Sequence, residues 1–529
     1  MDQVEQSVAS QAAEDYREML LADPWRPGYH FVLPQGIGIP GDPNGAFYQD
    51  GRYHLMYLYH QEGKTDCWGH CSSHDLVHWR CHPDALKPDE QEAAPGLAMD
   101  YGIYSGGAFA DDDGRVYLSY WSLPVPGRDA GGIRIARSVD KECTRFEKYP
   151  DYAIRPTEEI GILELGQPGE QPVGVADPSN IWKKDGLYYM QTGNLLALNK
   201  YGRTPDAPAH LRGDWADLFC SADLEHWEFV RRFYERRQDN AWTREDEDDM
   251  CPSFLPLPSS KEGGEPSGKY LQLFLAHNRG CQYYMGEYDR EGDCFLPERH
   301  GRMSWNDTAC FAPEALIDGK GRQILWVWLN DNPPKEEMQG WSGVYTLPRL
   351  LWLRPDGQLG IAPPPELETL RVPGRECTQV LWRGERLGEM EVSEPLEGVD
   401  PLSCEVILEA DPKGGLVGAA VRCAPDGSEH TLVYYDARKQ ELVIDTTHSG
   451  TPERRLEERA PLTLEEGEKL TLRVYVDRPV IEAFANDRQA VVRRTYPRKP
   501  DSIQLRLLRE GGASVDRIHA YELSPSNPY

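Results

Sequence analysis

Two aspartates each stand directly before a proline, in Asp42-Pro-Asn-Gly-Ala-Phe and Asp177-Pro-Ser-Asn-Ile-Trp182. Proline fixes its own φ and biases the residue before it toward an extended backbone, so the two acids are presented in the same local setting. A third group of acids, Glu245-Asp-Glu-Asp-Asp249, runs into Met250-Cys251-Pro252. Such a run is ordinarily a solvated face. Three sets of carboxyl groups suit the cleavage of a glycosidic bond. One attacks the anomeric carbon or activates water, and a second, with a raised pKa, protonates the leaving oxygen. A third holds substrate hydroxyls and stabilises the positive charge of the transition state. Trp68 and Trp121 offer ring faces of the kind that stack on sugars, although packing within a sheet uses the same residues.

The elements that must position these acids form a degenerate repeat. In each copy a short apolar segment leads to a Gly-containing turn and then to an aromatic-rich strand. The copies begin at Asp42, Ser105, Asp177, Cys251 and Ala312, and their turns hold Gly51, Gly114, Gly186, Gly268 and Gly321. The strands after the turns include Tyr53-His-Leu-Met-Tyr-Leu-Tyr59, Val116-Tyr-Leu-Ser-Tyr-Trp121 and Gln323-Ile-Leu-Trp-Val-Trp328. Asp-Gly supplies the positive φ angles of a tight hairpin, so each copy reads as two antiparallel strands, with room for two more before the next. A second repeat keeps the same phase: Ser73-His-Asp-Leu-Val-His-Trp79 returns as Ser221-Ala-Asp-Leu-Glu-His-Trp227, with looser versions at Ser138-Val-Asp140 and Tyr288-Asp289. Five four-stranded units predict an all-β chain with a five-bladed β-propeller, whose first strands meet at one central funnel. Beyond Pro363-Pro-Pro365 the strands are short and alternate in polarity, as in Leu470-Thr-Leu-Arg-Val-Tyr-Val476, which predicts a β-sandwich. The expected organisation is an amphipathic helix over 1–24, a propeller over 25–361, a linker over 362–374 and a sandwich over 375–529.

The 529 residues carry 87 acidic and 57 basic side chains, a formal charge of −30. That balance argues against a nucleic-acid binder and against docking on an anionic membrane. No apolar run approaches the ~20 residues of a membrane helix, and the first residues have no basic start followed by an apolar stretch. The 12 cysteines stand apart, without CxxC pairs, and read as reduced thiols of a cytoplasmic protein. Cys67 and Cys71 flank His70, but nothing nearby completes a tetrahedral metal set. No metal or organic cofactor is expected, and the expected partner is a carbohydrate.

These segments resemble glycoside hydrolase family 32, the β-fructosidases, over nearly the whole chain from about Trp25. Gly41-Asp42-Pro-Asn-Gly45 looks like the family's Asn-Asp-Pro-Asn-Gly, and Trp68-Gly-His is similar to its Trp-Gly-His segment. Tyr104-Ser-Gly-Gly107 looks like its Phe-Ser-Gly-Ser, and Ala176-Asp177-Pro178 like its Arg-Asp-Pro. Phe311-Ala-Pro, Leu347-Pro-Arg349 and Val476-Asp-Arg-Pro-Val-Ile-Glu-Ala-Phe-Ala-Asn486 match later segments. The resemblance implies a five-bladed propeller followed by a sandwich, with Asp42 as nucleophile and Asp177 as stabiliser of the transition state. It implies substrate contacts at Asn44, Gln61, Trp68 and Ser105.

The departures fall at the chemistry. Ile39, Gly41 and Ala176 replace family residues beside the two aspartates, and the family's Gln in the strand after the first turn is absent, although Gln61 stands close. The family's acid/base Glu directly precedes Cys-Pro, and here that position is Met250. Glu247-Asp-Asp-Met-Cys-Pro252 resembles a divergent Glu-Asp-x-Ser-Cys-Pro version, which makes Glu247 the first candidate for the acid and Asp248 the second. Strand alternation favours Asp248, which shares a face with position 250, and a bulge would reverse that. Glu314, after Ala312-Pro313, is a further candidate for the funnel. The leading expectation is a retaining hydrolase releasing terminal fructose from β-fructofuranosides such as sucrose, fructo-oligosaccharides, inulin or levan. A fructotransferase forming difructose anhydrides or oligofructosides, and a non-catalytic carbohydrate-binding propeller, are the alternatives.

Overall fold

The computed structural model describes residues 15, 18–20, 22–34, 41–60, 65–90, 94, 97–236, 241–330 and 341–527. Of the helix expected over 1–24, Asp15, Glu18, Met19, Leu20 and Ala22 are helical; residues 1–14, 16, 17 and 21 lie outside the described residues, as does Gln61. Among the described residues no helix is long and apolar enough to cross a membrane. The chain divides into two compact units, one of residues 37–330 with 348–364, the other of residues 1–36 with 331–347 and 365–529.

The first unit is a five-bladed β-propeller. Its blades are antiparallel sheets whose first strands are Pro43–Gln49, Gly102–Ala110, Ala176–Pro178, Met250–Pro258 and Cys310–Ile317. Each of these packs on the next and the fifth packs on the first, which closes the ring. In the first and third blades the Asp-Gly pairs carry the hairpins as expected: Asp50 and Gly51 have φ of 48° and 80°, and Asp185 and Gly186 have φ of 53° and 84°. In the fourth blade the expected turn at Ser267-Gly268-Lys269 is instead a bulge. Pro258 pairs with Pro266 and Pro256 with Tyr270, so the chain reverses earlier, over residues 259–265, where Gly263 and Gly264 take φ of 95° and 94°.

The second repeat is the turn between the third and fourth strands of a blade. Asp75 accepts the His78 backbone N–H at 2.8 Å and pairs with the His78 ring at 2.8 Å. Asp223 does the same for His226, at 2.8 and 2.9 Å. Leu76 and Leu224 both sit at φ of 65°. The Ser-x-Asp-Leu-x-His-Trp pattern therefore records a backbone shape, with its aspartate satisfying amides that no strand can pair.

Cys67, His70 and Cys71 lie on the strand Asp66–Ser73. Alternation sends the two cysteines to one face and His70 to the other, where it hydrogen-bonds His54 at 2.9 Å and lies against His82 at a tilt, with ring centroids 4.6 Å apart.

In the second unit, one sheet orders the strands Arg371–Cys377, Ser514–Leu523, Ser403–Asp411, Leu470–Asp477, Val480–Ala485 and Gln489–Arg494. A seven-stranded sheet includes Gln504–Glu510, Leu416–Cys423, His430–Asp436 and Glu441–His448. The expected linker over 362–374 is ordered. Pro365–Leu370 is a 3₁₀ turn with Leu367 and Leu370 buried, and the strand from Arg371 pairs with Leu523. The expected start of the propeller also moves. Residues 22–34 belong to the sandwich unit because the Asp477 carboxylate accepts the backbone N–H groups of Gly28, Tyr29 and His30 at 2.6, 2.9 and 2.7 Å, and the His30 Nδ1 at 3.0 Å. A contact across some 450 residues leaves no local signal in either segment.

Asp477→Asn keeps the shape of this anchor and removes its charge and one acceptor oxygen. We expect a loss of about 2–4 kcal/mol, because amides buried around it lose their partner. Urea unfolding should show a lowered midpoint, and limited proteolysis should cut before residue 30 faster than in the wild type.

Candidate active site

Asp42 ends the approach to the first blade. Its carbonyl accepts the Leu58 backbone N–H at 2.9 Å, which seats it at the head of the inner strand. Its Oδ2 accepts the Ser105 hydroxyl at 2.7 Å, and its Oδ1 is buried without a partner among the described residues. Asp177 lies in a bulge between Ala176 and Pro178, at a φ of 35°. Its Oδ1 is also buried and without a partner among the described residues. Between the two aspartates sits Cys251, at a φ of 47°, whose Sγ lies 3.7 Å from Asp42 Oδ2 and 3.4 Å from Asp177 Oδ2. The inner strands of blades one, three and four therefore converge on one sulfur atom, and each aspartate keeps one oxygen for a ligand.

Asp177 and Cys251 are non-glycine residues in the left-handed region, each followed by proline. That backbone costs of order 1–3 kcal/mol apiece and persists only where its surroundings impose it. Here it turns two consecutive blades' polar side chains to the same point.

The electrostatics follow from burial. Burial pushes the Asp42 carboxyl above its ordinary range, with the Ser105 hydrogen bond offsetting part of the rise. Burial and then the negative charge of Asp42 push Asp177 up to about 7, against a smaller opposing effect of the Cys251 hydrogen bond. Burial and the two aspartates push the Cys251 thiol well above 9, so it stays protonated. Two acids that share a site cannot both ionise freely. The hydroxyl donor on Asp42 makes it the one that carries charge first.

The other expected site residues have varied fates. Ser105 serves Asp42 directly. Asn44 is buried and donates its amide to the Asp42 carbonyl at 2.9 Å while its Oδ1 accepts the Gly106 N–H at 3.1 Å, so it ties the second blade to the first. Trp68, expected to bind substrate, is fully buried, donates its indole N–H to the Tyr104 carbonyl at 3.1 Å and packs edge-on against Tyr120. A ring with no open face cannot stack on a sugar. Glu314 is buried and accepts the Ala46 N–H at 2.7 Å, stitching the fifth blade to the first; burial holds its pKa well above the usual carboxylate range.

Glu245 and Asp246 of the acidic run are exposed, and Glu247, Asp248 and Asp249 are folded inward. Glu247 is fully buried, hydrogen-bonded by Gln282 Nε2 at 2.7 Å and paired with Arg302 at 3.4 Å. Asp248 is fully buried between His277 Nδ1 at 2.7 Å and Arg203 Nη2 at 3.2 Å. Asp249 accepts the Tyr234 hydroxyl and, at 3.3 Å, the Gln272 amide. Met250 packs in an apolar cluster with Ala176 and Met190.

Sequence reading missed two groups. Asp66 is buried at the start of its strand, and its charge raises the Asp42 pKa. His277 follows the strand Pro266–Ala276, and its positive charge lowers the pKa values of Asp42 and Asp177. No motif surrounds His277. The available signal was its position just past the second strand of a blade whose first strand already pointed to the funnel.

Asp177 has a testable energetic consequence. Between its unfolded value of 3.8 and about 7 the unfolded chain releases a proton that the folded chain retains. Stability is therefore lost as pH rises through that window and stays lost above it. Asp177→Asn removes the ionisation, so its advantage over the wild type in thermal unfolding should be small near pH 4. It should grow to on the order of a few kcal/mol by pH 8.

With this geometry, comparison with known proteins is direct. The family model described as "Glycosyl hydrolases family 32 N-terminal domain" matches residues 30–363, and "Glycosyl hydrolases family 32 C terminal" matches residues 366–522. A sucrose-6-phosphate hydrolase of Zymomonas mobilis is 28% identical over 538 residues, covering 98% of this chain and 96% of its own. A β-fructofuranosidase, insoluble isoenzyme 1, of Oryza sativa subsp. japonica is 27% identical over 568 residues, covering 97% of this chain and 92% of its own. The crystal structure of fructan 1-exohydrolase IIa from Cichorium intybus superposes with a TM-score of 0.76 at 20% identity, over 96% of this chain and 98% of that one, which fixes the shared fold. The chain is a glycosidase and belongs to glycoside hydrolase family 32.

Proposed function

We propose that the protein is a retaining β-fructofuranosidase that releases terminal fructose from β-fructofuranosides through a covalent fructosyl-enzyme intermediate. The observation that carries this reading is the pair Asp42 and Asp177, both buried, both touching Cys251, and each with one unpartnered oxygen. Its class is supported by relatives named β-fructofuranosidase and sucrose-6-phosphate hydrolase.

In the first step Asp42 Oδ1 attacks C2 of the fructosyl unit as the C2–O bond to the leaving group breaks, and the leaving oxygen takes a proton. Ser105 holds the other carboxylate oxygen and fixes the direction of attack. Asp177 stands on the opposite side of the thiol, where its oxygen can hold ring hydroxyls and face the positive charge that develops at C2. In the second step water attacks C2 and displaces Asp42. Two inversions give net retention. Tyr104, half-buried beside Ser105, lies 5.6 Å from the buried Trp121 ring, whose indole Nε1 has no partner among the described residues.

Asp42→Asn should lower kcat on sucrose and on inulin-type oligosaccharides by more than 10³-fold, because an amide does not form the glycosyl ester. Proton NMR of the wild-type reaction at early times should show β-fructofuranose as the first product. Undiminished turnover in Asp42→Asn, or release of the α anomer first, overturns the reading.

A further inference from the structure

Of the acidic run, Glu245 and Asp246 are exposed, Glu247 to Asp249 are buried, and only Asp249 keeps a buried carboxylate oxygen, Oδ1, without a partner among the described residues, its Oδ2 being held by Tyr234 and Gln272. Glu247 is enclosed by Gln282 and Arg302, Asp249 by Tyr234 and Gln272, and position 250 is an apolar methionine. Asp248 points at a histidine. His277 is 43% exposed by its side chain, donates Nδ1–H to Asp248 Oδ2 at 2.7 Å, and lies edge-on to Phe311 with ring centroids 5.7 Å apart. Its backbone N–H also meets Asp248, at 3.2 Å from Oδ1. Its Nε2 has no partner among the described residues. Asp248 is fixed from behind by Arg203 at 3.2 Å. A buried carboxylate that holds one nitrogen of a half-exposed imidazole leaves the other nitrogen available to carry a proton.

We propose that His277, oriented by Asp248, is the general acid and base of this glycosidase, in the role a glutamate before Cys-Pro would otherwise fill. This inference rests on the fructosidase reading above and deepens it. As Asp42 attacks C2, the electron pair of the C2–O bond passes to the leaving oxygen, which takes the proton from His277 Nε2. His277 is then neutral, and in the second step Nε2 takes a proton from the water that attacks C2 and displaces Asp42. The histidine ends as it began, and no other reactant is needed. Asp248 is the positioning residue.

The charge state fits the role. Burial lowers the pKa of His277, but the hydrogen bond and charge of Asp248, with the charges of Asp177 and Asp42, outweigh it and raise the pKa above its ordinary value. The groups that face His277 are these three acids, the Phe311 ring and, across Asp248, Arg203. The protonated form that the first step needs is therefore favoured over that of a free imidazole.

The test compares leaving groups in the full-length enzyme. For His277→Ala and His277→Gln we expect kcat/KM on sucrose to fall by about 10²–10⁴. On 4-nitrophenyl β-fructofuranoside, whose leaving group needs little protonation, formation of the fructosyl-enzyme should fall less than about tenfold. Azide should then raise turnover and give β-fructosyl azide, because it attacks C2 without a base. Asp42→Asn should lose both substrates. Asp248→Asn should move the alkaline limb of the sucrose kcat/KM profile to lower pH, since His277 loses what raises its pKa. Equal losses on both substrates in a folded His277 variant, an unmoved alkaline limb in Asp248→Asn, or the leaving-group signature appearing in Glu247→Gln alone overturns the assignment. If a His277 variant fails to fold, the Asp248→Asn profile decides. A wild-type enzyme that cleaves neither fructoside overturns the fructosidase reading, and this inference with it.

Discussion

The propeller depends on how its inner strands meet. Each inner strand has a ladder partner on one side only, so its other side carries backbone groups that water cannot reach. Side chains from the neighbouring blade answer them. Asn44 accepts the Gly106 N–H, Asn180 both accepts from and donates to the Phe254 backbone, and Glu314 accepts the Ala46 N–H. The approach is so close that a Cβ on Gly107 would fall 2.3 Å from the Asn180 backbone nitrogen. The polar residues of the funnel are thus first a means of closing the ring. Asp42 and Asp177 are among the acids that closure leaves with an unpartnered oxygen among the described residues, and they are the two that meet at Cys251.

This constraint explains why the backbone is irregular where the chemistry is. Asp42 heads its strand, Asp177 lies in a bulge, and Cys251 lies within another, between Met250 and Ser253. A regular strand would send successive side chains to opposite faces of its own sheet. A residue at positive φ breaks that alternation and sends its side chain along the axis of the ring. The cost is offset by aromatic packing within the blades, such as the cluster of Trp182, Phe233, Phe254, Tyr288 and Phe295.

Much of this was legible in the sequence because the repeat constrains it locally. Asp-Gly turns, Asp-Pro pairs and the Ser-x-Asp-Leu-x-His-Trp turn each act within a few residues, so five blades and two of the three acidic positions could be read directly. What acts at long range could not. The anchor of Gly28 to His30 on Asp477 and the pairing of Asp248 with His277 join segments with no shared pattern. Resemblance also misleads where a residue type has two uses. Trp68 and Asn44 keep their places in recognisable segments, yet both are consumed by packing and by blade-to-blade hydrogen bonds.

The acidic run changes meaning most. Read as a string of charges it is a solvated face, and with a net charge of −30 that reading is natural. Folded, Glu247, Asp248 and Asp249 are all fully buried, each with its own partners, and they mould the walls around the funnel. Their arrangement sets the local balance of protons. The charge of Asp42 raises the cost of ionising Asp177, and that of Asp66 the cost of ionising Asp42, while a cation at His277 lowers it for both. The same acids keep that cation charged. The site is then a linked set in which one positive group and several negative ones settle their charges together. A carboxylic acid at position 250 would add negative charge where Asp42 and Asp177 already repel, whereas methionine there adds none and leaves proton transfer to a group whose charge has the opposite sign.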